Sequence, residues 1–404
     1  MNGKFLHLIA LASALILASA CEQEGPEDNF DPSLPLTKAE EAINASSNSF
    51  GFNVFHELYK EDQVLFSPLS ASLALAMTAT GAAGETASQM TKVLGFDKFS
   101  TDDVNGYYRK MVAALLAVDP DTAFEIANSI WISDRIKVRQ EFIDDCDKYY
   151  SSEVYPADFS SQATIDKVNK WCSDKTHGKI SSILEEPDED LVMALMNALY
   201  FKGTWKYAFP DVYKDKFSAI SGKTVSMEMM QLSTELSYGE YDGFRMVDLP
   251  YGNGSFSMKV ILPDEKEDFG KAVKRFDANT LDKLNGKAFQ TNVFLKMPKF
   301  TFDCQNELTD ILIALGMERA FNGALADFSK MSEGLFISFV KQKTFIDVNE
   351  SGTEAAAVTI VGMDKMAGPG GASDQINFIA NRPFLFVIQE NSTGAVLFIG
   401  QKVG

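Results

Sequence analysis

The sequence contains little histidine and comparatively few basic side chains, and both shortages exclude classes of function. Only 3 of its 404 residues are histidine, and one of these lies in the apolar leader, which leaves His56 and His177 for the folded protein. Because two isolated imidazoles cannot form a histidine-based metal cluster, we predict no metal site and no cofactor. The 56 Asp and Glu residues outnumber the 37 Lys and Arg residues, which gives a net charge of −19. Nucleic acid, heparin-type polyanions and anionic membrane surfaces are therefore not predicted partners.

Cysteine is also scarce, and the four residues are Cys21, Cys146, Cys172 and Cys304. If Cys21 carries a lipid, as its position below predicts, three thiols remain, and an odd number argues against a disulfide framework. These three lie among apolar residues and are predicted to be small core residues. The sequence also lacks a Gly-x-Ser-x-Gly elbow and a His-Glu-x-x-His motif, so we predict that the protein is not an enzyme.

The folded region shows no sign of division. No internal linker, repeat or low-complexity stretch interrupts residues 46–404, and a hydrophobic content of 46% is ample for a large core. We therefore predict one domain over residues 46–404.

The N-terminus has the pattern of an export signal. Lys4 precedes an apolar run from Phe5 to Leu17, and the small residues Ala18-Ser19-Ala20 then precede Cys21. This arrangement predicts a signal peptide over residues 1–20. A cysteine in this place resembles a bacterial lipobox, although Ala18 stands where Leu is commoner, and it predicts a lipid on Cys21. Plain secretion with cleavage nearby is the alternative.

The segment after Cys21 predicts a tether. Residues 22–36 are acidic, contain proline and have little to bury, so we predict a disordered tether over residues 21–45. The protein is then expected to be exported and to meet the membrane only through its lipid anchor, either in the periplasm or at the cell surface. The sequence leaves the choice of membrane face open.

Near the C-terminus, residues 348–361 change from an alternating strand pattern to small and β-branched residues. Read with the period of a strand, one face carries both acidic side chains and the other is uncharged. The uncharged face consists of Thr353, Ala355, Ala357, Thr359, Val361 and Met363. No proline occurs between Thr353 and Met366, so a central position in a sheet is permitted. The Glu-Ala-Ala-Ala run also favours a helical turn, and local propensity leaves the two interpretations open.

Two segments in the first half of the chain have clear patterns. Val64-Leu65-Phe66 predicts a short buried strand, followed by a helix with Ser67 at its N-cap, Pro68 in its first turn and its end at Gly81. The near-continuous apolar run from Val192 to Phe201 predicts a central strand.

The second half of the chain reads as strands joined by turns. Asn253-Gly254 predicts a hairpin turn. Phe378–Phe386 and Leu397–Gly400 are predicted to be two buried strands at the C-terminus.

Several of these segments resemble one family in order and spacing. The run from Glu350 to Thr359 resembles the hinge of the reactive loop of inhibitory serpins, and this resemblance decides for the strand over the helical turn. The order Asn48, Phe55, Ser67-Pro68-Leu69-Ser70 and Gly81-Ala82 is similar to the N-terminal serpin signature. Asn197-Ala-Leu-Tyr-Phe-Lys-Gly-Thr-Trp205 is a further specific match. The resemblance covers residue 46 to the end, and with the cysteine at the end of the leader the chain resembles bacterial lipoprotein serpins.

The resemblance implies a fold and a function. It implies one α+β domain of three β-sheets and about nine helices, with an exposed reactive-centre loop at about residues 350–375. It also implies that a serine protease cleaves this loop, forms an acyl-enzyme and is trapped in a covalent complex as the loop inserts into the central sheet. The implied partners are serine proteases and some cysteine proteases, and the implied inhibitor is a monomer. The alternative is a non-inhibitory serpin acting as a binding or carrier protein, whose hinge is usually spoiled by bulky, charged or proline residues.

The resemblance assigns roles to single residues. The implied hinge residues are Glu350, Gly352, Thr353, Glu354, Ala355, Ala356, Ala357, Val358 and Thr359. The implied shutter, where the sheet opens, consists of Ser67, Ser70, Asn197 and Gln342. Gln342 stands where the family commonly has His, so we expect no pH sensitivity of opening through that position. Trp205 matches the tryptophan of the breach, where insertion begins.

The resemblance also implies the bond that is cut. In the family this bond follows the seventeenth residue counted from the hinge glutamate, which gives Met366–Ala367 here. An unbranched apolar Met suits elastase-like or chymotrypsin-like proteases. The runner-up is Lys365–Met366, which suits trypsin-like proteases.

Overall fold

A computed structural model of the protein describes residues 34–120, 122–353 and 375–404. Within these residues the α-helices are α1 Lys38–Leu58, α2 Pro68–Thr80, α3 Gly84–Leu94, α4 Thr101–Leu115, α5 Gln140–Tyr150, α6 Gln162–Lys175, α7 Phe269–Arg275, α8 Ala278–Lys287 and α9 Thr309–Ala314. The strands are β1 Val64–Phe66, β2 Ala123–Ser133, β3 Glu153–Ala157, β4 Met193–Thr204, β5 Asp211–Ser218, β6 Thr224–Tyr241, β7 Phe244–Pro250, β8 Phe256–Pro263, β9 Phe289–Pro298, β10 Phe300–Glu307, β11 Phe339–Asn349, β12 Gly352–Thr353, β13 Ile376–Ile379, β14 Phe384–Glu390 and β15 Val396–Lys402.

The second helix follows its predicted boundaries. The Ser67 hydroxyl accepts a hydrogen bond from the Ser70 amide, Pro68 occupies the first turn, and the helix is capped at Gly81. Every residue from Pro68 to Thr78 is buried, so α2 runs through the core rather than along the surface. The strand β1 before it lies where it was predicted.

The first helix begins inside the segment that was predicted to be a tether, and it corrects the extent of that tether. Residues 38–45 were assigned to a disordered tether, but they form the first turns of α1. Thr37 and Glu40 form a capping box, in which each side chain accepts a hydrogen bond from the other residue's amide. Ile43 is fully buried, so this end of the helix belongs to the folded domain.

In the part of the chain that the structure describes, the larger sheet contains nine strands in the order β1-β15-β14-β8-β7-β6-β9-β13, with β5 paired to β6. The 18-residue strand β6 pairs with β5 at its start, with β9 in its middle and with β7 at its end. The resemblance implied three β-sheets, whereas the described strands form two, because β6 joins its partners into one hydrogen-bonded sheet. The hairpin predicted at Asn253-Gly254 joins the antiparallel strands β7 and β8.

The smaller sheet contains six described strands in the order β10-β11-β12-β4-β2-β3, and β11 also pairs directly with β4. β4 is buried along almost its whole length, which confirms the predicted central strand. Its Leu195 and Leu199 face the main core, whereas Met196 and Ala198 face a second cluster that includes Trp171 of α6. With nine helices and these sheets in the described residues, the predicted α+β class is confirmed.

The C-terminal strands differ from the prediction in one respect. Phe378–Phe386 was predicted as one strand, but it is divided between β13 and β14, so that prediction is wrong. The intervening backbone bonds elsewhere: the Ala380 amide donates to Lys296 O and Asn381 O accepts from the Ser218 amide, both at 2.8 Å. Pro383 has no amide hydrogen to continue a ladder.

The thiols that the structure describes are unreactive in character. Cys146 and Cys172 are buried, Cys304 is half-buried, and all three are free. Burial raises the pKa of Cys172 and of Cys304 to about 11 in each case, so both stay protonated at neutral pH. In the described ranges no three His, Cys, Asp or Glu side chains converge as a metal site would require.

Candidate functional site

Strands β11 and β4 lie side by side for only part of their length. They pair directly and in parallel from Phe339 opposite Ala194 to Thr344 opposite Leu199. Beyond this point β12 lies between them and runs antiparallel to both. The sheet is therefore closed at one end and opened by an additional strand at the other.

The additional strand β12 is the start of the predicted hinge. Thr353 pairs with Val348 of β11 and with Gly203 of β4, so it is bonded on both sides. Thr353 is 1% exposed and lies on the same buried face as Val348. Both residues of β12 are extended and not part of a helical turn. The remaining hinge residues lie outside the described residues, namely Glu354, Ala355, Ala356, Ala357, Val358 and Thr359.

Gly352 occupies a position that leaves no room for a side chain. Its φ of 154° lies in the region that favours glycine. A Cβ atom at this residue would lie 2.1 Å from the carbonyl oxygen of Gly203. A Cβ atom on Gly203 would in turn lie 2.8 Å from the ring of Tyr251. Two glycines therefore permit the close approach of backbones through which β12 joins the sheet.

Trp205 and Tyr251 contact the hinge through the polar ends of their rings. The Trp205 indole N–H donates to the carbonyl oxygen of Asn349 over 2.8 Å, and the two rings stack with centroids 4.3 Å apart. Tyr251 Oη and Thr353 Oγ1 form a hydrogen bond of 2.6 Å. Trp205, Tyr251 and Thr353 are all at most 3% exposed, and burial raises the pKa of Tyr251 well above its ordinary value. Trp205 therefore lies beside the residues that lead into β12.

Glu350 fixes the backbone just before β12. Its carboxylate lies 2.7 Å from the Lys299 ammonium, and this hydrogen bond is the main reason that the pKa of Glu350 is lowered. Its carbonyl oxygen accepts from the Phe209 amide over 2.9 Å. The next carbonyl, of Ser351, accepts from the Trp205 amide over 2.9 Å.

The four predicted shutter residues lie together where α2 begins. Gln342 accepts at Oε1 from the Ser67 amide over 2.8 Å, and its Nε2 donates to Ser67 O at 3.0 Å and to Asn197 Oδ1 at 2.8 Å. Asn197 Nδ2 donates to Ser70 Oγ and to Asn128 Oδ1. All five residues are buried. The bond between Gln342 and Asn197 joins β11 directly to β4, so separating these strands must break it.

Asn128 and Tyr251 belong to the site but were not predicted. Asn128 and Ser129 are polar residues within the otherwise apolar stretch Ile126–Ile132, and that contrast could have marked Asn128. Tyr251 carries no comparable signal, because an aromatic residue before a hairpin turn is ordinary. The predicted reactive bonds at Lys365, Met366 and Ala367 and the predicted lipid site at Cys21 lie outside the described residues.

Fold and site together define a class of protein. A single α+β unit contains a sheet that opens between two parallel strands, and the first residues of a following segment lie in that opening. The protein is thus one whose six-stranded sheet holds the start of the following segment between two of its own strands. The chain belongs to the serpin family, because the family model described as Serpin (serine protease inhibitor) matches residues 45–403. Serpins are mostly protease inhibitors rather than catalytic enzymes.

Individual relatives cover nearly the whole chain. Plasminogen activator inhibitor 2 of Homo sapiens is 33% identical over 415 residues, which cover 89% of this chain and 99% of that protein. Serpin-ZX of Arabidopsis thaliana is 33% identical over 382 residues, which cover 89% of this chain and 96% of that protein. The crystal structure of Tengpin, a thermophilic serpin in the native state, is 34% identical with a TM-score of 0.84 and covers 92% of this chain and 96% of its own.

Proposed function

We propose that the protein inhibits serine proteases as a suicide substrate. The observation that carries the proposal is the place of β12, whose two residues already lie between β4 and β11 and pair with both. A sheet that holds the start of its own loop in strand pairing can take up the rest after that loop is cut. Relatives named as inhibitors, such as plasminogen activator inhibitor 2, support the same activity.

The proposed reaction begins at Met366. The protease serine attacks the carbonyl carbon of Met366, the bond to Ala367 breaks, and Ala367 leaves with a free amine while an ester joins Met366 to the serine. Thr353 to Met366 are 14 residues, so the inserted strand would be about 46 Å long. The protease is drawn along the sheet by its ester and its active site is distorted before water can hydrolyse the bond. A cut at Lys365–Met366 would shorten the strand by one residue.

The register of β12 supports insertion of the remaining hinge. Continued from Thr353 along both neighbouring strands, the register brings Thr359 opposite Gln342 on one side and Asn197 on the other. Every second residue from Thr353 to Met363 would then face the buried side, and all of these residues are uncharged. Burial of an unpaired charge on this face would cost on the order of several kcal/mol, which would prevent the loop from inserting as a strand.

The test is incubation with chymotrypsin, elastase and trypsin, followed by a denaturing gel. We expect a covalent complex that resists SDS and a released C-terminal fragment. Protein already cut in the loop is the matched control, and it should form no complex and melt at a much higher temperature than the intact protein. Cleavage without complex and without a rise in melting temperature would instead indicate the alternative, a non-inhibitory serpin acting as a binding or carrier protein.

Export with a lipid anchor on Cys21 is the second part of the proposal. It is supported by the pattern of residues 1–20 and by the family, whose members are mostly secreted or extracellular. The first described residues lie against the domain: the Leu34 amide donates to Ser392 Oγ over 2.9 Å, and Pro35 O accepts from Lys110 Nζ over 2.6 Å. Of the helices that the structure describes, none has both the length and the apolar character to cross a membrane.

A further inference from the structure

A short segment that follows α6 crosses the outer face of the six-stranded sheet. Residues 176–184 form this strap, which lies on the face that carries the second cluster, and its Ile180 and Ile183 are buried in that cluster. The far end of the strap is held by Asn169 of α6, whose Oδ1 accepts from the Ile183 amide over 2.8 Å and from the Leu184 amide over 3.0 Å. The strap therefore lies between α6 and the strands beneath it.

The strap contacts both strands at the point where the sheet opens. The ring of His177 lies 4.6 Å from the ring of Tyr200 on β4, measured between centroids. The Lys179 ammonium lies 5.2 Å from the ring centroid of Phe345 on β11. Tyr200 and Phe345 directly follow the last residues through which β4 and β11 pair with each other. His177 and Lys179 thus cover the entrance to the closed part of the sheet.

The inserting loop would have to pass between these two rings. Continued from Thr353, the register brings Ala356 opposite Tyr200 on one side and Phe345 on the other. An added strand moves its neighbours apart by about 4.8 Å. The two rings must therefore separate beneath the strap before Ala356 can enter.

The strap has little slack to follow both rings. Gly178 alone separates His177 from Lys179, and two residues span at most about 7 Å. On the β11 side the strap is held a second time, because Lys343 Nζ donates to Ser182 O over 2.8 Å. Separation of the strands therefore has to loosen either the contact of His177 with β4 or the contacts with β11.

His177 is also bonded to the neighbouring strand β2. Its Nε2 lies 2.8 Å from Glu125 Oε1, and Glu125 is the residue directly opposite Tyr200. Histidine is the side chain that ordinarily changes charge between about pH 5 and pH 8. When its ring is protonated, the contact becomes a charge-assisted hydrogen bond, which is stronger than a neutral one. The side chains are 52% and 43% exposed, so the gain in strength is modest.

The other charged groups around His177 have partners elsewhere or carry positive charge. On α6, Lys175 lies 3.6 Å from Glu153 of β3, and Asp174 lies 2.6 Å from Lys170. Among the described residues the carboxylate that contacts His177 is Glu125. The remaining charged residues on this face of the two strands are Lys202 of β4 and Lys341, Lys343 and Asp347 of β11.

We propose that His177 and Glu125 form a pH-dependent latch that slows insertion of the loop in acid. The inference rests on the proposed function and adds a mode of regulation to it. In acid both latch partners are charged, so the strap can be released only from β11. At higher pH the ring of His177 is neutral, and the strap can be released from either side. Although Gln342 replaces the usual His of the shutter, opening would then depend on pH through the strap.

The first measurement reports on the latch itself. The Lys179 amide donates to Thr176 O over 2.9 Å and the Ile180 amide donates to Thr176 Oγ1 over 3.1 Å, so their hydrogen exchange reports how often the strap opens. Glu125→Gln removes the charge and keeps the shape of the side chain. We expect both amides to exchange about threefold faster in this variant than in wild type at about pH 5.5, and equally fast at about pH 8. Comparing two proteins at one pH cancels the intrinsic pH dependence of exchange.

The second measurement follows insertion without a protease. A synthetic peptide with the sequence of residues 355–366 is added in excess, and its uptake as a strand is followed by the rise in melting temperature of samples taken over time. Wild type should take up the peptide about threefold more slowly at about pH 5.5 than at about pH 8. Glu125→Gln and His177→Asn should take it up at the same rate at both pH values.

The choice of variants separates the latch from a general effect of histidine. Asn tolerates the left-handed backbone at His177, where φ is 50°. His56→Asn is the matched control, because the ring of His56 bonds to the carbonyl oxygen of Phe276 and makes no contact with the strap. This variant should keep the pH dependence of wild type.

The outcomes distinguish the latch from the inhibition. Equal exchange in wild type and Glu125→Gln at both pH values would overturn the latch, and so would peptide uptake that does not depend on pH. No uptake by any of these proteins would contradict insertion and the latch together. Uptake that depends on pH without covalent protease complexes refutes only the inhibition, whereas covalent complexes with uptake that is independent of pH refute only the latch.

Discussion

The hydroxyl oxygens of Tyr251 and Thr353 lie 2.6 Å apart in the interior, so the hinge is bonded to a residue that follows strand β7 of the other sheet. Neither side chain is more than 1% exposed. A conformation that leaves a buried hydroxyl without a hydrogen-bond partner is less stable than one that keeps the bond. This contact therefore holds Thr353 in its position between the two strands.

Replacing Tyr251→Phe removes only the hydroxyl and keeps the ring stacked on Trp205. We expect the paired, extended conformation at Thr353 to become less stable by about 1–3 kcal/mol, which is the usual cost of leaving a buried polar group without its partner. Hydrogen exchange at the Thr353 amide should then be faster. Tyr150→Phe is the matched control, because its buried hydroxyl donates to Asn105 Oδ1 far along the chain from the hinge. Unchanged exchange at Thr353 in the Tyr251 variant would show that backbone pairing alone holds β12.

Replacing Thr353→Arg places a long cation on the buried face between β4 and β11. The charge would have to leave water without a partner, so we expect insertion to fail and the protein to become a protease substrate. Titration against active protease should show cleaved protein in place of the SDS-resistant complex. Thr353→Ser keeps the hydroxyl and should still inhibit. Full inhibition by the Arg variant would contradict insertion as the mechanism.

The ion pair between Glu350 and Lys299 predicts a pH dependence with a definite sign. The hydrogen bond from Lys299 lowers the pKa of Glu350 in the folded state, so its stabilisation is complete above the unfolded value of about 4.3. It is lost as the pH falls through the folded value. In melting curves between neutral pH and about pH 3, wild type should lose more stability than Glu350→Gln. Glu307→Gln, which removes the carboxylate paired with Lys341, is the control and should lose as much stability on acidification as the wild type.

The site of cleavage can be read from the fragment released with the complex. We expect this fragment to begin at Ala367, which makes Met366 the residue that contacts the protease pocket. A fragment beginning at Met366 would identify Lys365 instead and indicate a trypsin-like target. A start beyond Gly368 would refute both assignments. N-terminal sequencing of the fragment is sufficient to decide.

The proposed anchor predicts where the protein is found. Cys21→Ser removes the only thiol at the end of the predicted signal peptide, so the protein should leave the membrane fraction or fail to mature. Cys304→Ser makes the same chemical change within the folded domain and should leave fractionation unchanged. Equal membrane association of both variants would contradict the anchor.

Elements with strong local signals were predictable from the sequence. The cap at Ser67, the proline after it and the glycine at the end fixed α2 to the residue, and the apolar run ending at Phe201 marked β4 as a central strand. In each case the residues that form the element, such as the capping residue or the apolar run, are neighbours in the sequence and can be recognised there.

Contacts between distant segments were not predictable in this way. Tyr251 and Thr353 are separated by 102 positions, and nothing in either local sequence requires them to meet. The break between β13 and β14 depends on bonds from Ala380 and Asn381 to other parts of the sheet. The early start of α1 depends on Ile43 finding the core, although its surroundings in the sequence are polar. The family resemblance supplied the shutter residues, which no local pattern would have grouped.

The pairing of β12 has a consequence for the amount of protein that is needed. Full insertion would replace the parallel pairs between β4 and β11 by two antiparallel ladders, which are slightly more stable per residue. Reversal would require both ladders to break at once, so each molecule could act a single time. Protection of its surroundings would then depend on dose: the number of molecules at a given place must match the number of protease molecules arriving there, however tightly each pair is bound.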